Sequence, residues 1–258
     1  MRIKQGICLG SFTKGAADLP LFKALADMGY AAIELVPKKD DFEDVIAAAK
    51  SCGLAVCDMV GHASLKDGLN NRANHPRIEA ELRQSLDAAA KHAIPNVLCL
   101  AGNRLERQSD MEAIEAVAEG LARVAPYAEE RGVTLVLELL NSSVNHPGYQ
   151  CDRTEWGVAV CRRVGSPRVK LLYDIYHMQI MEGDVIRTIQ SHIQRIGHFH
   201  TAGNPGRNDP DESQELNYVA ICKAIAETPY TGYVSHEYKP KGDPIESLRK
   251  AFAICDQG

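Results

Sequence analysis

Short apolar or β-branched runs alternate with longer amphipathic stretches along the whole chain, and eight such pairs can be marked. The short runs are Ile3–Cys8, Ala32–Val36, Ala55–Val60, Asn96–Ala101, Thr134–Leu139, Val169–Asp174, Ile196–Thr201 and Gly232–Tyr238. Strand-like runs separated by helical patterns are the signature of a parallel sheet with crossover helices. PRIEAELRQSLDAAAKHA carries Pro near its start and apolar residues at helical spacing, which predicts a helix. SDMEAIEAVAEGLARVAPYAEERG opens on a capping residue and closes on Gly132, which predicts one continuous helix. Gly29, Gly53 and Gly132 each stand between a helical stretch and a strand, where a left-handed backbone costs glycine little. No Pro- or Ser-rich linker divides the chain, so residues 1–258 are expected to form one domain. The first strand runs into GSFTKGAADLP rather than a G-x-G-x-x-G turn, so an open dinucleotide-binding sheet has no support. Eight repeats favour closure into a single (β/α)8 TIM barrel.

In such a barrel the chemistry sits at the carboxyl ends of the strands. Four late strands end in strongly coordinating residues: Glu138, Asp174, His198 with His200, and Glu237. Alternation along a strand puts Val136 with Glu138, Leu172 with Asp174, and Ser235 with Glu237 on one face. An unpaired carboxylate among apolar neighbours costs several kcal/mol, and a cation removes that cost. Three carboxylates and one imidazole make a hard, oxygen-rich donor set, which suits Mn²⁺ or Mg²⁺, with Zn²⁺ as the alternative. Of the two histidines, His200 lies nearer the mouth and is read as the ligand, with His198 supporting it. Taken singly, each residue would also be satisfied by solvent or by capping a helix. His62, just past the third strand, is placed to reach the mouth, as are Asn103, Arg104 and Glu34. His75, His92 and His192 fall in helical or loop contexts and are predicted to lie at the surface.

Composition narrows the partners. The net charge of −5 comes from 29 basic and 34 acidic residues with no basic block, which argues against nucleic acid. No stretch approaches the ~20 apolar residues of a membrane span and no secretory signal pattern opens the chain, so a cytoplasmic location and a small-molecule substrate are expected. The eight cysteines form no C-x-x-C pair and sit mostly in apolar runs, as reduced, buried side chains do. A homo-oligomer is compatible with all of this.

YDIYHMQIMEGD, HFHTAGNPGR, ELNY, EYKP and the PGY at Pro147–Tyr149 resemble the hydroxypyruvate isomerase family of the xylose isomerase-like barrel superfamily, over Glu138–Lys241. The resemblance implies a metal-dependent isomerase that moves a proton through an enediolate in hydroxypyruvate or a related oxo-acid. Related ketose 3-epimerases carry a Glu, Asp, His, Glu ligand set that is matched here by Glu138, Asp174, His200 and Glu237, a substrate His matched by His177, and a substrate Arg matched by Arg207. His200 stands where hydroxypyruvate isomerases commonly carry Gln and points to the epimerases, whereas EYKP points back to the isomerases, so both stay open. In either reading Glu138 and Glu237 are the expected proton carriers. Arg207, with Lys239, is placed to pair with a substrate carboxylate. An abasic-site endonuclease on the same barrel would need more histidine ligands and a basic surface. A non-catalytic metal-binding protein would have no use for the Glu138/Glu237 pair.

Overall fold

The computed structural model describes residues 3–13, 17–35 and 41–257. Its strands are β1 (Lys4–Cys8), β2 (Ala32–Leu35), β3 (Ala55–Val60), β4 (Asn96–Cys99), β5 (Thr134–Glu138), β6 (Val169–Asp174), β7 (Ile196–Thr201) and β8 (Tyr233–His236). They pair in sequence order, all parallel, and β8 returns to β1 to close the barrel. The helices are α1 (Leu19–Met28), α2 (Phe42–Ser51), α3 (His75–His92), α4 (Asp110–Ala122), α5 (Ala125–Arg131), α6 (Thr154–Val164), α7 (Ile175–Met181), α8 (Val185–His192), α9 (Tyr218–Ala226) and α10 (Pro244–Cys255). Every expected strand is present. β4, β5 and β8 stop one or two residues before their expected ends, and Val36 lies outside the described residues.

The strands are apolar on the outer face, which the helices cover, and mix apolar with polar side chains on the inner face. Leu135 and Leu137 of β5 and Leu171 and Tyr173 of β6 are fully buried in the main hydrophobic core. Gly29 and Gly132 close α1 and α5 with φ of 96° and 69°, the left-handed caps expected of them.

The single helix expected from Ser109 to Gly132 is two. Ser109 forms a capping box with Glu112 at the start of α4, but Pro126 sits in the first turn of α5. Its ring and missing N–H cannot continue the preceding ladder, so the chain breaks at Arg123–Val124 and restarts. His75 is also not at the surface. It opens α3, is 2 % exposed, and its Nε2 lies 2.9 Å from the Leu69 carbonyl, because the preceding loop folds under α4 against Gly120.

Two irregularities in the sheet aim side chains. Leu171 pairs with Ile196 but Leu172 pairs with His198, so Gly197 is an extra residue in β7. Ile33 pairs with Val56 and Glu34 with Asp58, which leaves Cys57 extra in β3. A one-residue slip turns a strand's side chains to the other face. The β7 bulge therefore sets His200 opposite Asp174 at the carboxyl end. Glycine suits the bulge, since a Cβ there would come within 2.9 Å of Val136 Cγ1.

Candidate active site

Glu138, Asp174, His200 and Glu237 converge at the carboxyl end of the barrel, with one potential ligand atom from each lying within 4.8 Å of the others. His200 Nδ1 is 3.4 Å from Glu138, 3.3 Å from Glu237 and 3.9 Å from Asp174. It is buried and makes no hydrogen bond of good geometry, so this nitrogen and the three carboxylates address a common point. Glu237 lies one residue beyond β8, yet its N–H still bonds to the Thr201 carbonyl at 2.9 Å, which carries the ladder far enough to aim its side chain. Tyr149, of the Pro147–Tyr149 turn, steadies Glu138: its hydroxyl donates to the Glu138 carbonyl at 3.1 Å and accepts the Ala101 N–H at 3.0 Å.

Glu34, which points to the mouth as expected, has a larger part than its position in β2 suggested. Oε2 accepts from His200 Nε2 at 2.9 Å, and Oε1 bonds to His198 Nε2. That bond fixes His200 with Nε2 facing Glu34 and Nδ1 facing the carboxylates, the usual way a ligand histidine is oriented. Burial raises the Glu34 pKa, but His198 and His200 outweigh it and hold the carboxyl well below its ordinary value.

The carboxylates around His200 differ in proton affinity. Burial raises Glu138, and Glu237 and Asp174 add to that against the pull of His200. Asp174 is pushed up by burial to about 6 although Arg207 and His200 oppose it. Glu237 is also raised by burial, but its close contact with His200 and the nearby Arg207 bring it down to about 2. Burial works against charge on His200, yet Glu34 first and then its contacts with Glu138 and Glu237 lift its pKa well above the ordinary value.

Asp174 also caps α7, where its Oδ1 accepts the His177 N–H at 2.9 Å and so places His177 over the cluster. The tautomer of His177 follows from its neighbours. Asn141 Oδ1 accepts the N–H groups of Val144 and Asn145 at 3.0 and 2.8 Å, so its Nδ2 is the atom that meets His177 Nδ1 at 2.5 Å. Nδ1 is thus an acceptor and Nε2 carries the proton, buried, without a partner, 3.7 Å from Asp174. Burial, with Arg207 adding to it, keeps His177 neutral by lowering its pKa well below the ordinary value.

Arg207 reaches the same place from the loop after β7. Its guanidinium donates to Glu237 Oε2 at 2.5 Å and lies over the Tyr176 ring, 5.8 Å from the centroid. Lys239 supports it through the backbone, its N–H bonding to the Arg207 carbonyl at 2.9 Å, while its own side chain is exposed. Two expected contributors stay apart. His62 uses both ring nitrogens on the backbone, accepting from Leu100 N–H at 2.9 Å and contacting the Ala63 carbonyl at 3.1 Å, so neither is left for a substrate. The chain there is drawn over α3 by Ser85 and Glu81 and faces an outer groove. Asn103 joins two loops, bridging to Tyr149 and accepting Asn70 Nδ2 at 2.6 Å, as Arg104 does through Asp110 and Asp152.

A cavity of about 90 Å³ lies beside the cluster, lined by Cys8, Glu34, Asp58, Glu138, His200 and Glu237 among others. Drug-sized pockets run to roughly 300–1,000 Å³, so this one takes a compound of a few carbons. Asp58 is a wall residue that sequence reasoning missed. Burial and then Glu34 raise its pKa well above the ordinary value, and its Oδ1 accepts the Met59 N–H at 2.6 Å. An acid in the apolar run AVCDMV was the available signal. His146 was missed too; its ring packs edge-on against His177 at 5.2 Å.

Comparison with known proteins agrees with this architecture. Residues 22–256 match the family model described as xylose isomerase-like TIM barrel. The chain is 33 % identical to the 2-oxo-tetronate isomerase of Cupriavidus necator over 241 residues, 90 % of this chain and 91 % of that protein. It is 32 % identical to the hydroxypyruvate isomerase of Escherichia coli over 178 residues, 67 % of this chain and 68 % of that protein. A crystal structure described as AP endonuclease, family 2, from Brucella melitensis superimposes with a TM-score of 0.85 at 24 % identity, covering 95 % of this chain and 96 % of that one, a likeness of fold. Among the described residues no helix is long and apolar enough to cross a membrane. With its closed barrel, its matched length and these relatives, the chain belongs to the xylose isomerase-like TIM-barrel family and is an isomerase.

Proposed function

We propose that the protein interconverts the ketose and aldose forms of a small α-hydroxycarbonyl acid, hydroxypyruvate or a near relative, with a divalent cation held by Glu138, Asp174, His200 and Glu237. The observation that carries this reading is the quartet, three members buried and Glu237 partly so, in which two flanking glutamates have proton affinities pushed in opposite directions. Environments that separate two carboxyls in this way suit one as base and the other as acid. The donor set fits the cation: three carboxylates and an otherwise unpartnered imidazole nitrogen converge, and the hard oxygens favour Mn²⁺ or Mg²⁺ over Zn²⁺. When bound, the cation polarises the substrate carbonyl and makes the adjacent C–H acidic.

The side chains supply the rest. Glu237, held ionised, takes the proton from the hydroxymethyl carbon, and Glu138 returns one to the former carbonyl carbon while the hydroxyl proton passes between the two oxygens. His177 Nε2–H donates to the oxygen on which charge develops. Arg207 offers its remaining guanidinium donors to the substrate carboxylate, which favours an acid over a neutral sugar. The small cavity agrees with a short substrate.

The test is exchange in heavy water with the Mn²⁺-loaded protein. Deuterium is expected in hydroxypyruvate and its aldehyde isomer, and not in free ketoses. Exchange confined to neutral ketoses would make the protein a ketose 3-epimerase instead.

Cation affinity should follow pH with a definite sign. Asp174, pushed up by burial to about 6, holds a proton below that pH which must leave before it can ligate. Affinity for Mn²⁺ is expected to weaken as pH falls through about 6, by about tenfold per unit for each proton displaced. Calorimetric titration between pH 5 and pH 8 checks this, and a flat profile over that range would refute it.

A further inference from the structure

The strand that brings Asp174 to the carboxyl end of the barrel carries a lysine at the other end. Lys170, Leu172 and Asp174 alternate on one face of β6, so Lys170 turns inward at the amino-end mouth. A cavity of about 480 Å³ opens there, lined by Asn96, Thr134, Arg168, Lys170, Gln194 and Tyr230 among others. Gly197 gives the lysine stem its bed: a Cβ at that position would stand 3.2 Å from Lys170 Cβ.

Three cations gather at this mouth. Arg168 and Lys170 line the cavity, and Arg195 ends the turn that leads into β7. Burial lowers the pKa of Lys170, and Arg168 and Arg195 lower it further. Among the described residues no carboxylate pairs with any of the three, and Arg168 has only a long 3.4 Å contact to the Thr134 hydroxyl. Elsewhere the chain pairs its arginines freely, as in Arg72–Glu119, Arg77–Glu81, Arg104–Asp152 and Arg131–Asp87. A chain with 34 acids and 29 bases leaves Arg168 and Lys170 together on the wall of a concavity of ligand size, half-buried and repelling one another, with Arg195 close enough to add to the repulsion. Like charges in a partly desolvated cleft are relieved by a counter-charge, and a fork beside a point charge is a fit for oxyanions.

We propose that the amino-end mouth of the barrel is a binding site for a small oxyanion with at least two negative charges, a phosphate ester or a dicarboxylate. Arg168 grips two oxygens, Lys170 meets the charge from inside the barrel, and Arg195 adds to the field. Leu172 and the layer packed around it lie between this mouth and the quartet, so the site is separate from the one that handles the substrate and does not depend on the reaction assigned there.

Calorimetric titration of the whole protein with inorganic phosphate and with succinate, at fixed ionic strength, tests the site and tells its two ligand classes apart. One saturable site per chain is expected for at least one of the anions. Lys170→Met, which keeps the aliphatic stem, should weaken it about tenfold, and the Arg168→Gln, Lys170→Met double variant should abolish it. Lys23→Met, which removes an exposed cation on α1, should change nothing. Isomerase turnover by both variants should match the wild type and so report an intact fold. The proposal is overturned if neither anion gives a saturable heat, or if Lys170→Met binds as tightly as the wild type.

Discussion

Glu237→Gln protein is expected to fold as the wild type does and to turn over its substrate at least about a thousandfold more slowly. Loss of a positioned general base accounts for roughly 10²–10⁴ in rate, and Glu237 is also one of the quartet. The amide keeps the volume of the side chain and can still meet Arg207, which now bonds to Oε2 at 2.5 Å, so packing around the mouth is preserved. Glu138→Gln should behave alike, and the double variant should be no worse than about the poorer single one, since the two act in one proton relay. Steady-state rates with hydroxypyruvate and the circular dichroism of the same samples give both readouts. A double variant that retained full activity would remove the proton-transfer role from both residues.

Glu34→Ala is expected to damage stability and cation binding together. Glu34 is 4 % exposed and joined to two buried histidines, one of them in the quartet. Removing one member of a buried, hydrogen-bonded ion pair costs about 3–5 kcal/mol because its partners are left unsatisfied. Without the carboxylate nothing holds His200 with Nδ1 toward Glu138 and Glu237, and loss of an orienting partner typically weakens metal binding about 10–100-fold. Urea denaturation and a Mn²⁺ titration measure the two effects separately. Wild-type values in both would show that Glu34 merely fills space.

The barrel was legible because its signal repeats: β-branched runs, amphipathic stretches and glycines before strands recur in each unit, and closure follows from their number. Glu138, Asp174 and His200 were legible because strand ends fall on one rim. Glu34 and Asp58 were harder to see for a reason of register. Glu34 finds its partners across the barrel, 164 residues away at His198, through the extra residue in β7, and Asp58 stands opposite Glu34 only because β3 carries another. Alternation alone does not reveal a bulge. His62 failed for the opposite reason, since proximity to a strand end says nothing about a ring already tied to the Leu100 N–H. The break at Pro126 was readable from the residue itself, but the apolar periodicity on both sides of it argued for continuity.

Asp174 answers to two neighbours at once, one oxygen capping α7 through the His177 N–H and the other turned toward the quartet. The side chain has to be short to reach back to the third residue of the helix, and it has to be a carboxylate to present a second oxygen into the barrel. Ion preference and helix nucleation are thereby tied to a single residue. Glutamate would overshoot the cap, asparagine would keep the turn but halve the donor charge, and alanine would give up both. Any attempt to retune the rim for a softer ion must leave this residue alone and work through its three companions.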